Sequence, residues 1–303
     1  MVWFKKVLIT GGTGSFGNHI ADFLLKNSNC EIVVFSRDEF KQYQMQLKYA
    51  GADRLEFMIG DVRDKQRVGE AMHGVDAVFH AAALKHVPAC ENHPFEAVKT
   101  NVIGGKNVAE AAVEAGVKRV VAISTDKAVK PVNAMGMSKA LQEKIMLEAN
   151  RYGNTEFNVV RYGNVVASRG SVVPLFRDSV ARNEPLPITQ GDMTRFWLTL
   201  DDAIKLVMHA AEAKGRGQIF VKKAPACKIL QLARVVARSL GREDYPVKFV
   251  GLRKGEKVHE VLVAENEMLT AVDEGEYYRI RPDEPVPADK VSQGAEYSSA
   301  TTH

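Results

Sequence analysis

Short β-branched runs alternate with helix-length segments through the first half of the chain. The runs are almost wholly apolar, which is typical of strands buried on both faces of a parallel sheet. The pattern predicts one long helix over 94–115 and strands over 7–10, 31–35, 55–59, 77–80, 119–123 and 157–162. This alternation predicts an α/β fold with a doubly wound parallel sheet of the Rossmann type.

The regular alternation of strands and helices ends after residue 163. Loops rich in glycine, proline and polar residues alternate there with helices predicted over 199–213 and 229–239. A basic loop at 253–257 is expected to run into a further helix, and an irregular tail is expected from residue 281 onward. We expect a nucleotide-binding Rossmann domain over 1–165, to which 194–222 returns, and a smaller α/β substrate-binding lobe over 166–193 and 223–303.

Composition adds little to this picture. Hydrophobic residues make up 46% of the 303 residues, charged residues make up 26%, and the net charge is +4. No basic block or interleaved aromatic pattern predicts nucleic-acid binding, so a small anionic ligand is the expected partner. No apolar run reaches the roughly 18 residues of a membrane span. The three separate cysteines form neither a disulfide pattern nor a zinc pattern, and a cytoplasmic location is expected.

A glycine-rich turn, TGGTGSFG at 10–17, directly follows the first strand. Glycines there let the backbone approach a pyrophosphate, which lies at the N-terminus of the following helix. A plain connecting turn is the competing interpretation, but a strand before and a helix after favour a nucleotide site. The predicted contacts in this turn are Gly11, Thr13, Gly14, Ser15, Phe16 and Gly17.

The end of the second strand indicates which dinucleotide is bound. An enzyme specific for NAD places an acid there, whereas this chain has Ser36 and Arg37, then Asp38, with Lys41 a turn later. Cations are disfavoured at a helix N-terminus unless an anion is bound, so these residues favour NADP over a merely solvated helix start.

Further contacts are expected after the third, fourth and sixth strands. The Asp61 carboxylate is placed to accept from an adenine amino group, and small residues after the fourth strand let a cofactor pass close to the backbone. His80 and His86 have no third ligand nearby, so no metal site is expected. The predicted cofactor contacts here are Asp61, Val62, Ala81, Ala82, Ala83, Lys85, Tyr162 and Asn164.

Residues 124–139, STDKAVKPVNAMGMSK, carry the candidate chemistry. Thr125, Asp126 and Lys127 follow the fifth strand and should project toward the reacting end of a bound cofactor. Met135 and Lys139 are four residues apart at a helix start and therefore share a face. An acid beside an amine can act as an acid and base pair, whereas an ordinary ion pair on a loop is the competing interpretation.

This stretch resembles the short-chain dehydrogenase/reductase superfamily, in which a Tyr-x-x-x-Lys pair follows the fifth strand. In that superfamily the Tyr transfers a proton and the Lys, here Lys139, holds the nicotinamide ribose; Met135 replaces the Tyr and cannot transfer a proton. The chain also resembles the inverting UDP-N-acetylglucosamine 4,6-dehydratases of bacterial surface-sugar biosynthesis, in particular their Met-containing capsular branch. The matching strings are TGGTGSFG, SRDEFKQ, GDVRD, HAAALKHVP, TNVIGG, STDKA, RYGNV, SRGSVVPLF, MTRF and RKGEK.

The resemblance implies a lyase that holds NADP throughout the reaction, acts on a UDP-N-acetylhexosamine and forms a dimer or hexamer. Asp126 would protonate the hydroxyl leaving carbon 6, and Lys127 would remove the proton from carbon 5. Cations nearby, Lys85 and Lys139 among them, are expected to lower the pKa of Lys127. The implied substrate contacts are Lys85, Asn164, Val165, Arg195, Arg253 and Glu256.

Two points stay open at this stage. The proton of the carbon 4 hydroxyl would go to Lys127, Thr125 or a water, with Met135 packing against the sugar. The chain could also be a 4-epimerase acting on UDP-glucose or UDP-N-acetylglucosamine, although such enzymes ordinarily keep the Tyr and lack the acid and amine pair. A non-catalytic NADP-binding regulator is a further alternative that would explain the missing Tyr.

Overall fold

The structure is a computed structural model that describes residues 4–166, 171–286 and 295–302. Residues 168–170 of the SRGSVVPLF string lie outside these ranges. Six parallel strands occur where the apolar runs predict them, with bounds that differ by no more than one residue. They are β1 Lys6–Thr10, β2 Glu31–Ser36, β3 Leu55–Ile59, β4 Ala77–His80, β5 Arg119–Ile123 and β6 Glu156–Arg161.

Helices connect these strands and continue beyond them. The predicted helices over 199–213 and 229–239 are confirmed as α9 and α10 of the following set. The helices are α1 Ser15–Asn27, α2 Glu39–Lys48, α3 Lys65–Ala71, α4 Val87–Asn92, α5 Pro94–Ala97, α6 Gly104–Glu114, α7 Ala134–Glu148, α8 Val172–Ala181, α9 Leu200–Glu212, α10 Ile229–Ser239 and α11 Glu265–Met268.

The helical stretch predicted over 94–115 is confirmed as a continuous run from α5 to α6, but a π-helical turn at Val98–Ile103 that the sequence does not predict lies within it. Within this turn the Asn101 amide accepts from the Leu84 N–H at 2.8 Å and donates to the Leu84 carbonyl at 3.0 Å. It also donates to Ser138 Oγ at 2.9 Å. Apolar positions still repeat at helical spacing through the segment, so the sequence pattern carries no signal for the wider turn.

Ten further strands lie in the described ranges, and three of them extend the central sheet. They are β7 Asn164–Val165, β8 Leu186–Ile188, β9 Thr194–Leu198, β10 Ile219–Lys222, β11 Ala226–Lys228, β12 Val247–Phe249, β13 Val261–Val263, β14 Val272–Asp273, β15 Tyr277–Ile280 and β16 Tyr297–Ser298. The central sheet has the order β3, β2, β1, β4, β5, β6, β10, β15, β14. Strands β3 to β10 in this order run parallel, whereas β15 and β14 pair antiparallel at the edge. The predicted doubly wound α/β fold is therefore confirmed.

Smaller sheets lie beside the central one: β7 with β9 and β11, β8 with β12, and β13 with β16. β10 returns to the central sheet, as the assignment of 194–222 to the nucleotide-binding domain expects, but β14 and β15 also join it from the segment assigned to the substrate-binding lobe. The division of the chain into two domains stays a prediction.

The helix expected after the basic loop at 253–257 is wrong. The chain is extended at β13, where Val261, Leu262 and Val263 are all buried. This β-branched run pairs antiparallel with β16, which lies in the segment expected to be an irregular tail. A strand of two residues has too little pattern to be recognised without its distant partner.

Two apolar clusters cover the two faces of the central sheet. Leu8 belongs to one cluster, whereas its neighbours Val7 and Ile9 belong to the other, as the alternation of side chains along β1 requires. A third cluster, which includes Phe176 and Ile229, packs α8 against α10. In the described part of the chain, no helix is both long and apolar enough to cross a bilayer.

Candidate active site

A pocket of about 190 Å³ opens at the carboxyl ends of β1, β2 and β3. Ten residues predicted to contact the cofactor line it, and Phe35, Gly60 and Thr100 complete the lining. The ten are Gly11, Thr13, Ser36, Arg37, Asp38, Lys41, Asp61, Val62, Ala82 and Ala83. Ligands of open α/β sheets collect at this edge, so the structure brings the first half of the predicted site together.

Two glycines of the turn after β1 are required by close approaches. Gly11 has a φ of +68°, and a Cβ there would lie 2.8 Å from Ala82 Cα. A Cβ at Gly17 would lie 2.3 Å from the Gly12 carbonyl oxygen. The turn therefore lies directly against the loop after β4, and α1 begins at Ser15 with Gly14 as an N-cap that makes no side-chain hydrogen bond. The first amides of α1 accordingly face this edge of the sheet.

Charged side chains at the pocket rim are paired with one another. Arg37 Nη1 lies 3.5 Å from Asp61 Oδ2, and Arg63 Nη2 lies 2.7 Å from the same oxygen. Partial burial acts to raise the pKa of Asp61, but hydrogen bonds from Arg63 and the charge of Arg37 lower it overall. Asp38 caps α2 by accepting from the Lys41 N–H at 3.0 Å and also pairs with the Lys41 ammonium. The two cations predicted for this rim are present, each beside a carboxylate.

The acid and amine pair occupies a short 3₁₀ turn, Asp126–Ala128, directly after β5. Asp126 is fully buried, and its Oδ1 accepts from Thr125 Oγ1 at 2.8 Å and from Lys127 Nζ at 2.9 Å. Its other oxygen, Oδ2, is buried without a hydrogen-bond partner among the described residues. Lys127 Nζ also donates to Asn164 Oδ1 at 3.2 Å, and the Lys127 side chain is 20% exposed. One carboxylate oxygen is thus held by the pair and one is left for a further partner.

The expectation that nearby cations lower the pKa of Lys127 is wrong for the protein itself. Burial acts to lower the pKa of this ammonium, but the carboxylates of Asp126 and Glu260 outweigh burial, and the pKa is raised. Glu260 is 2% exposed, and its Oε1 lies 3.8 Å from Lys127 Nζ. Glu260 was missed by the sequence reasoning because it lies more than 130 positions from Lys127 and belongs to a segment predicted to be helical.

Helix α7 lies against this turn. A Cβ at Gly136 would lie 2.2 Å from the Lys127 carbonyl oxygen, so only glycine permits the approach. Asn133 caps α7 by accepting from the Gly136 N–H at 2.7 Å, and it donates to the Gly255 carbonyl at 2.7 Å. Met135 is 3% exposed and packs with Cys90 and Ala97 in a small apolar cluster.

Lys139 lies in the interior at the end of β5. Its Nζ donates to the Ile123 carbonyl at 2.5 Å and to Gln142 Oε1, and burial lowers its pKa to about 8. The Gln142 amide nitrogen lies 2.6 Å from His80 Nε2, and His80 Nδ1 lies 2.7 Å from Thr10 Oγ1. Burial, assisted by the charge of Lys139, lowers the pKa of His80 to about 3, so the imidazole is neutral. His80 therefore orients the lysine through Gln142, a residue that the sequence reasoning missed although it lies three positions after Lys139.

The remaining predicted residues fall into two groups. Asn164 contacts Lys127, Val165 pairs with Leu198 in the small sheet, and Tyr162 is half-buried with its pKa raised by burial. Arg195 is buried, and its guanidinium donates to the main-chain carbonyls of Thr194, Lys257 and Val258 at 2.7, 2.9 and 3.1 Å.

The exposed substrate candidates lie in two loops. Lys85 follows β4, and Arg253 donates its N–H to Glu256 Oε2 at 3.2 Å. The substrate roles of these residues stay predictions.

The parallel sheet, the glycine turn after β1 and the acid and amine pair beside a buried lysine define an extended short-chain dehydrogenase/reductase of the nucleotide-sugar dehydratase and epimerase kind. The chain belongs to the polysaccharide biosynthesis protein family, whose model matches residues 7–282. The predicted membership in the superfamily is thereby confirmed.

The named relatives include both epimerases and a dehydratase. The UDP-glucose 4-epimerases of Rickettsia felis and Rickettsia prowazekii are each 49% identical over 286 residues, which is 92% of this chain and 83% of each relative. Pen from Bacillus thuringiensis has a TM-score of 0.92 and 36% identity, covering 99% of this chain and 94% of its own. The dTDP-glucose 4,6-dehydratase DesIV of Streptomyces venezuelae, solved with NAD bound, has a TM-score of 0.77 and 25% identity, covering 84% and 86%.

Proposed function

We propose that this protein is an NADP-dependent, inverting UDP-N-acetylglucosamine 4,6-dehydratase, a hydro-lyase of surface-polysaccharide biosynthesis. The product would be UDP-2-acetamido-2,6-dideoxy-L-arabino-4-hexulose. The observation that carries the proposal is the contact between a fully buried Asp126 and Lys127, whose Nζ lies 2.9 Å from Oδ1. An adjacent acid and amine is the set of groups needed to remove one proton and to donate another across neighbouring carbons.

The residues of the pair have opposite tasks in this reaction. Bound NADP would supply reversible hydride acceptance from carbon 4 and hydride return to carbon 6. Lys127 first passes its proton to Asp126 across their 2.9 Å contact, and the neutral amine then takes the proton from carbon 5 once carbon 4 is a ketone. Asp126, in its protonated form, gives its proton to the hydroxyl that leaves carbon 6, so one water is lost. A water on the opposite face then gives a proton to carbon 5, which inverts that carbon, and the proton released earlier from the carbon 4 hydroxyl balances it.

The competing function is a 4-epimerase, and the names of the Rickettsia relatives favour it. An epimerase must move the proton of the carbon 4 hydroxyl but needs no acid for a leaving hydroxyl. Met135 cannot move a proton and lies in an apolar cluster with Cys90 and Ala97, whereas Asp126 and Lys127 exceed what epimerisation requires. These features support dehydration, with Lys127, Thr125 or a water as the acceptor of the carbon 4 hydroxyl proton.

Incubation with UDP-N-acetylglucosamine followed by mass spectrometry tests the proposal. Loss of one water from the sugar nucleotide is expected, and the same reaction in heavy water should place deuterium at carbon 5 with inverted configuration. An isomer of unchanged mass would show that the chain is an epimerase. Tight NADP binding without turnover of any UDP-hexose would instead support a regulator.

Several residues fit a dinucleotide at the pocket after β1. A Cβ at Gly11 would fill the cradle against Ala82, and the buried hydroxyl of Thr100, which has no hydrogen-bond partner within the described ranges, lines the same pocket. Gly11, Thr13 and the start of α1 would hold the pyrophosphate. Arg37 and Lys41 would hold a ribose phosphate, and Lys139 the nicotinamide ribose.

Gly11→Ala is expected to weaken NADP binding by at least about tenfold, because the new Cβ meets Ala82 and a positive φ costs about 1–3 kcal/mol for a residue with a side chain. Gly69→Ala is the matched control, since a Cβ at Gly69 meets nothing within 4 Å. Isothermal titration calorimetry measures both affinities. Equal binding by the two variants would contradict the assignment of the turn.

Arg37→Ala should weaken the binding of NADP much more than the binding of NAD. The Arg37 side chain is 54% exposed at the pocket rim, and a charge-assisted contact with a phosphate contributes roughly 1.5–3 kcal/mol. We expect affinity for NADP to fall about tenfold or more while affinity for NAD stays within about twofold. Lys48→Ala, at the exposed C-terminal end of α2, is the control. Equal losses for the two dinucleotides would contradict the preference for NADP.

The proposal includes a UDP-N-acetylhexosamine as the partner and a homo-oligomer, a dimer or a hexamer, in the cytoplasm. Asn164, Val165, Lys85, Arg195, Arg253 and Glu256 are the proposed substrate contacts. Exposed apolar side chains at Phe95, Ile103, Met137 and Leu141 lie on α5, α7 and the π-helical turn, which pack together and support an interface there. Analytical ultracentrifugation measures the assembly.

A further inference from the structure

Glu260 presents a buried carboxylate to the acid and amine pair from a distant part of the chain. It precedes β13 directly and is 2% exposed. Its Oε1 lies 3.8 Å from Lys127 Nζ and 3.8 Å from Arg195 Nε, and its Oε2 lies 3.3 Å from Lys257 Nζ. Oε2 makes no hydrogen bond to any residue that the structure describes. A carboxylate is rarely buried unless its charge is paired with nearby cations or takes part in the function of the site.

The backbone fixes the position of this carboxylate. The Glu260 N–H donates to Ser299 Oγ at 2.9 Å, and the Glu260 carbonyl accepts from the Ser299 N–H at 2.8 Å. On the other side, Arg195 donates to the carbonyls of Lys257 and Val258. Contacts from β9 and from the segment at β16 therefore hold Glu260 in place without involving its side-chain oxygens.

The charges around Lys127 come from three parts of the chain. Asp126 belongs to its own turn, Glu260 precedes β13, and Arg195 lies on β9. Asn164 on β7 is uncharged, and the ammonium of Lys257 lies beyond Glu260. On the α7 side, Gly136 lies directly against the Lys127 carbonyl. Lys127 Nζ thus lies 2.9 Å from one carboxylate and 3.8 Å from another, and each of the two has an oxygen that hydrogen-bonds to no residue the structure describes.

We propose that Glu260 is a positioning residue for the acid and amine pair: its carboxylate, 3.8 Å from Lys127 Nζ, orients this amine and stabilises the ammonium that forms when Lys127 takes a proton. The inference rests on the proposed dehydration. Before proton transfer, with Asp126 protonated and Lys127 neutral, Glu260 offsets the charges of Arg195 and Lys257. After transfer, and once Asp126 has given its proton to the leaving hydroxyl, the new ammonium faces two carboxylates, so the transfer of the proton from carbon 5 becomes more favourable.

Titration of Lys127 by NMR tests this inference on the full chain, with lysine labelled by ¹⁵N at Nζ. The Lys127 signal is assigned by its absence from the Lys127→Met variant. In Glu260→Gln, the titration midpoint of Lys127 should fall by about 1–3 pH units, because one carboxylate is removed and Arg195 and Lys257 are left facing the amine. The limb of the pH profile of dehydration that reports deprotonation of Lys127 should move to lower pH with it.

Two further variants complete the test. Glu260→Asp keeps the charge but moves it farther from Lys127 Nζ, so a smaller fall in the Lys127 midpoint is expected. This variant replaces Glu260→Gln if Glu260→Gln does not fold. Glu265→Gln removes an exposed carboxylate that pairs with Lys130 at 2.6 Å, and the Lys127 midpoint should not move. A midpoint identical to wild type in a folded Glu260 variant overturns the proposal. Because the titration needs no substrate, an epimerase result in the mass assay would overturn the proposed reaction and leave the Glu260 coupling to be judged separately.

Discussion

Lys127→Met is expected to slow the loss of water from UDP-N-acetylglucosamine by about 10²–10⁴-fold, the usual contribution of a positioned general base. Methionine keeps most of the side-chain volume and cannot accept a proton. Lys127 Nζ donates to the buried Asp126 at 2.9 Å and to Asn164 Oδ1 at 3.2 Å. Exchange of the carbon 5 proton with heavy water should fall in parallel, because the same group removes that proton.

The control for this experiment is Lys130→Met, three residues further along. Lys130 is 45% exposed at its side chain and pairs with Glu265 and Glu296, so its loss should leave turnover within about twofold of wild type. Both proteins are compared at equal NADP saturation by mass spectrometry and by NMR of carbon 5. Undiminished exchange at carbon 5 in Lys127→Met would show that another group is the base.

The sequence predicts the strands of the parallel sheet because each is a short apolar run that can be recognised without knowing which strands it pairs with. It also predicts the glycine turn, since strand, glycines and helix are contiguous. The same holds for Asp126, Lys127 and Lys139, which one loop and one helix turn carry together. Each of these features is local, and local pattern suffices to place it.

The parts that sequence pattern does not predict depend on contacts between distant segments. Glu260 reaches Lys127 only because β13 pairs with β16, and the run before it carries no sign of that pairing. From the sequence alone, His80 could be a metal ligand or a histidine of the core. Only the fold shows that it orients Lys139 through Gln142. The pKa of Lys127 was expected in the wrong direction for the same reason, since its second carboxylate was unknown.

The buried contacts of Lys139 connect both ends of the proposed cofactor site. Thr10 ends β1 directly before the glycine turn, and its hydroxyl lies 2.7 Å from His80 Nδ1. His80 meets Gln142, which accepts from Lys139. Because each polar group is buried, a shift of one would leave another without its partner. These buried contacts therefore fix the position of the glycine turn, which would hold the pyrophosphate, relative to Lys139, which would hold the nicotinamide ribose.

A second buried network holds α7 to the segment that follows Glu260. Arg161, at the end of β6, donates to both carboxylate oxygens of Glu143 on α7 and to both of Glu267 on α11. The four distances lie between 2.6 and 2.9 Å, and the Arg161 and Glu143 side chains are each 5% exposed. Burial acts to raise the pKa of Glu267, but Arg161 outweighs it and the pKa is lowered. This network fixes the elements that carry Lys139 and Glu260 relative to each other.

Arg161→Met should lower the free energy of unfolding by about 3–5 kcal/mol at neutral pH, because the buried carboxylate of Glu143 and the half-buried carboxylate of Glu267 lose the cation that pairs with both. Without Arg161, burial is left to raise the folded-state pKa of Glu267 above its unfolded value, so part of the deficit should disappear as pH falls from about 7 to about 5. Urea unfolding followed by circular dichroism measures both effects.

The triple variant Glu143→Leu, Arg161→Met, Glu267→Leu should recover most of the loss, since apolar replacement removes the uncompensated charges. Arg182→Met, which breaks an exposed pair with Glu184, should change the unfolding midpoint little, and a deficit in Arg161→Met no larger than this control would show that the network contributes no net stability.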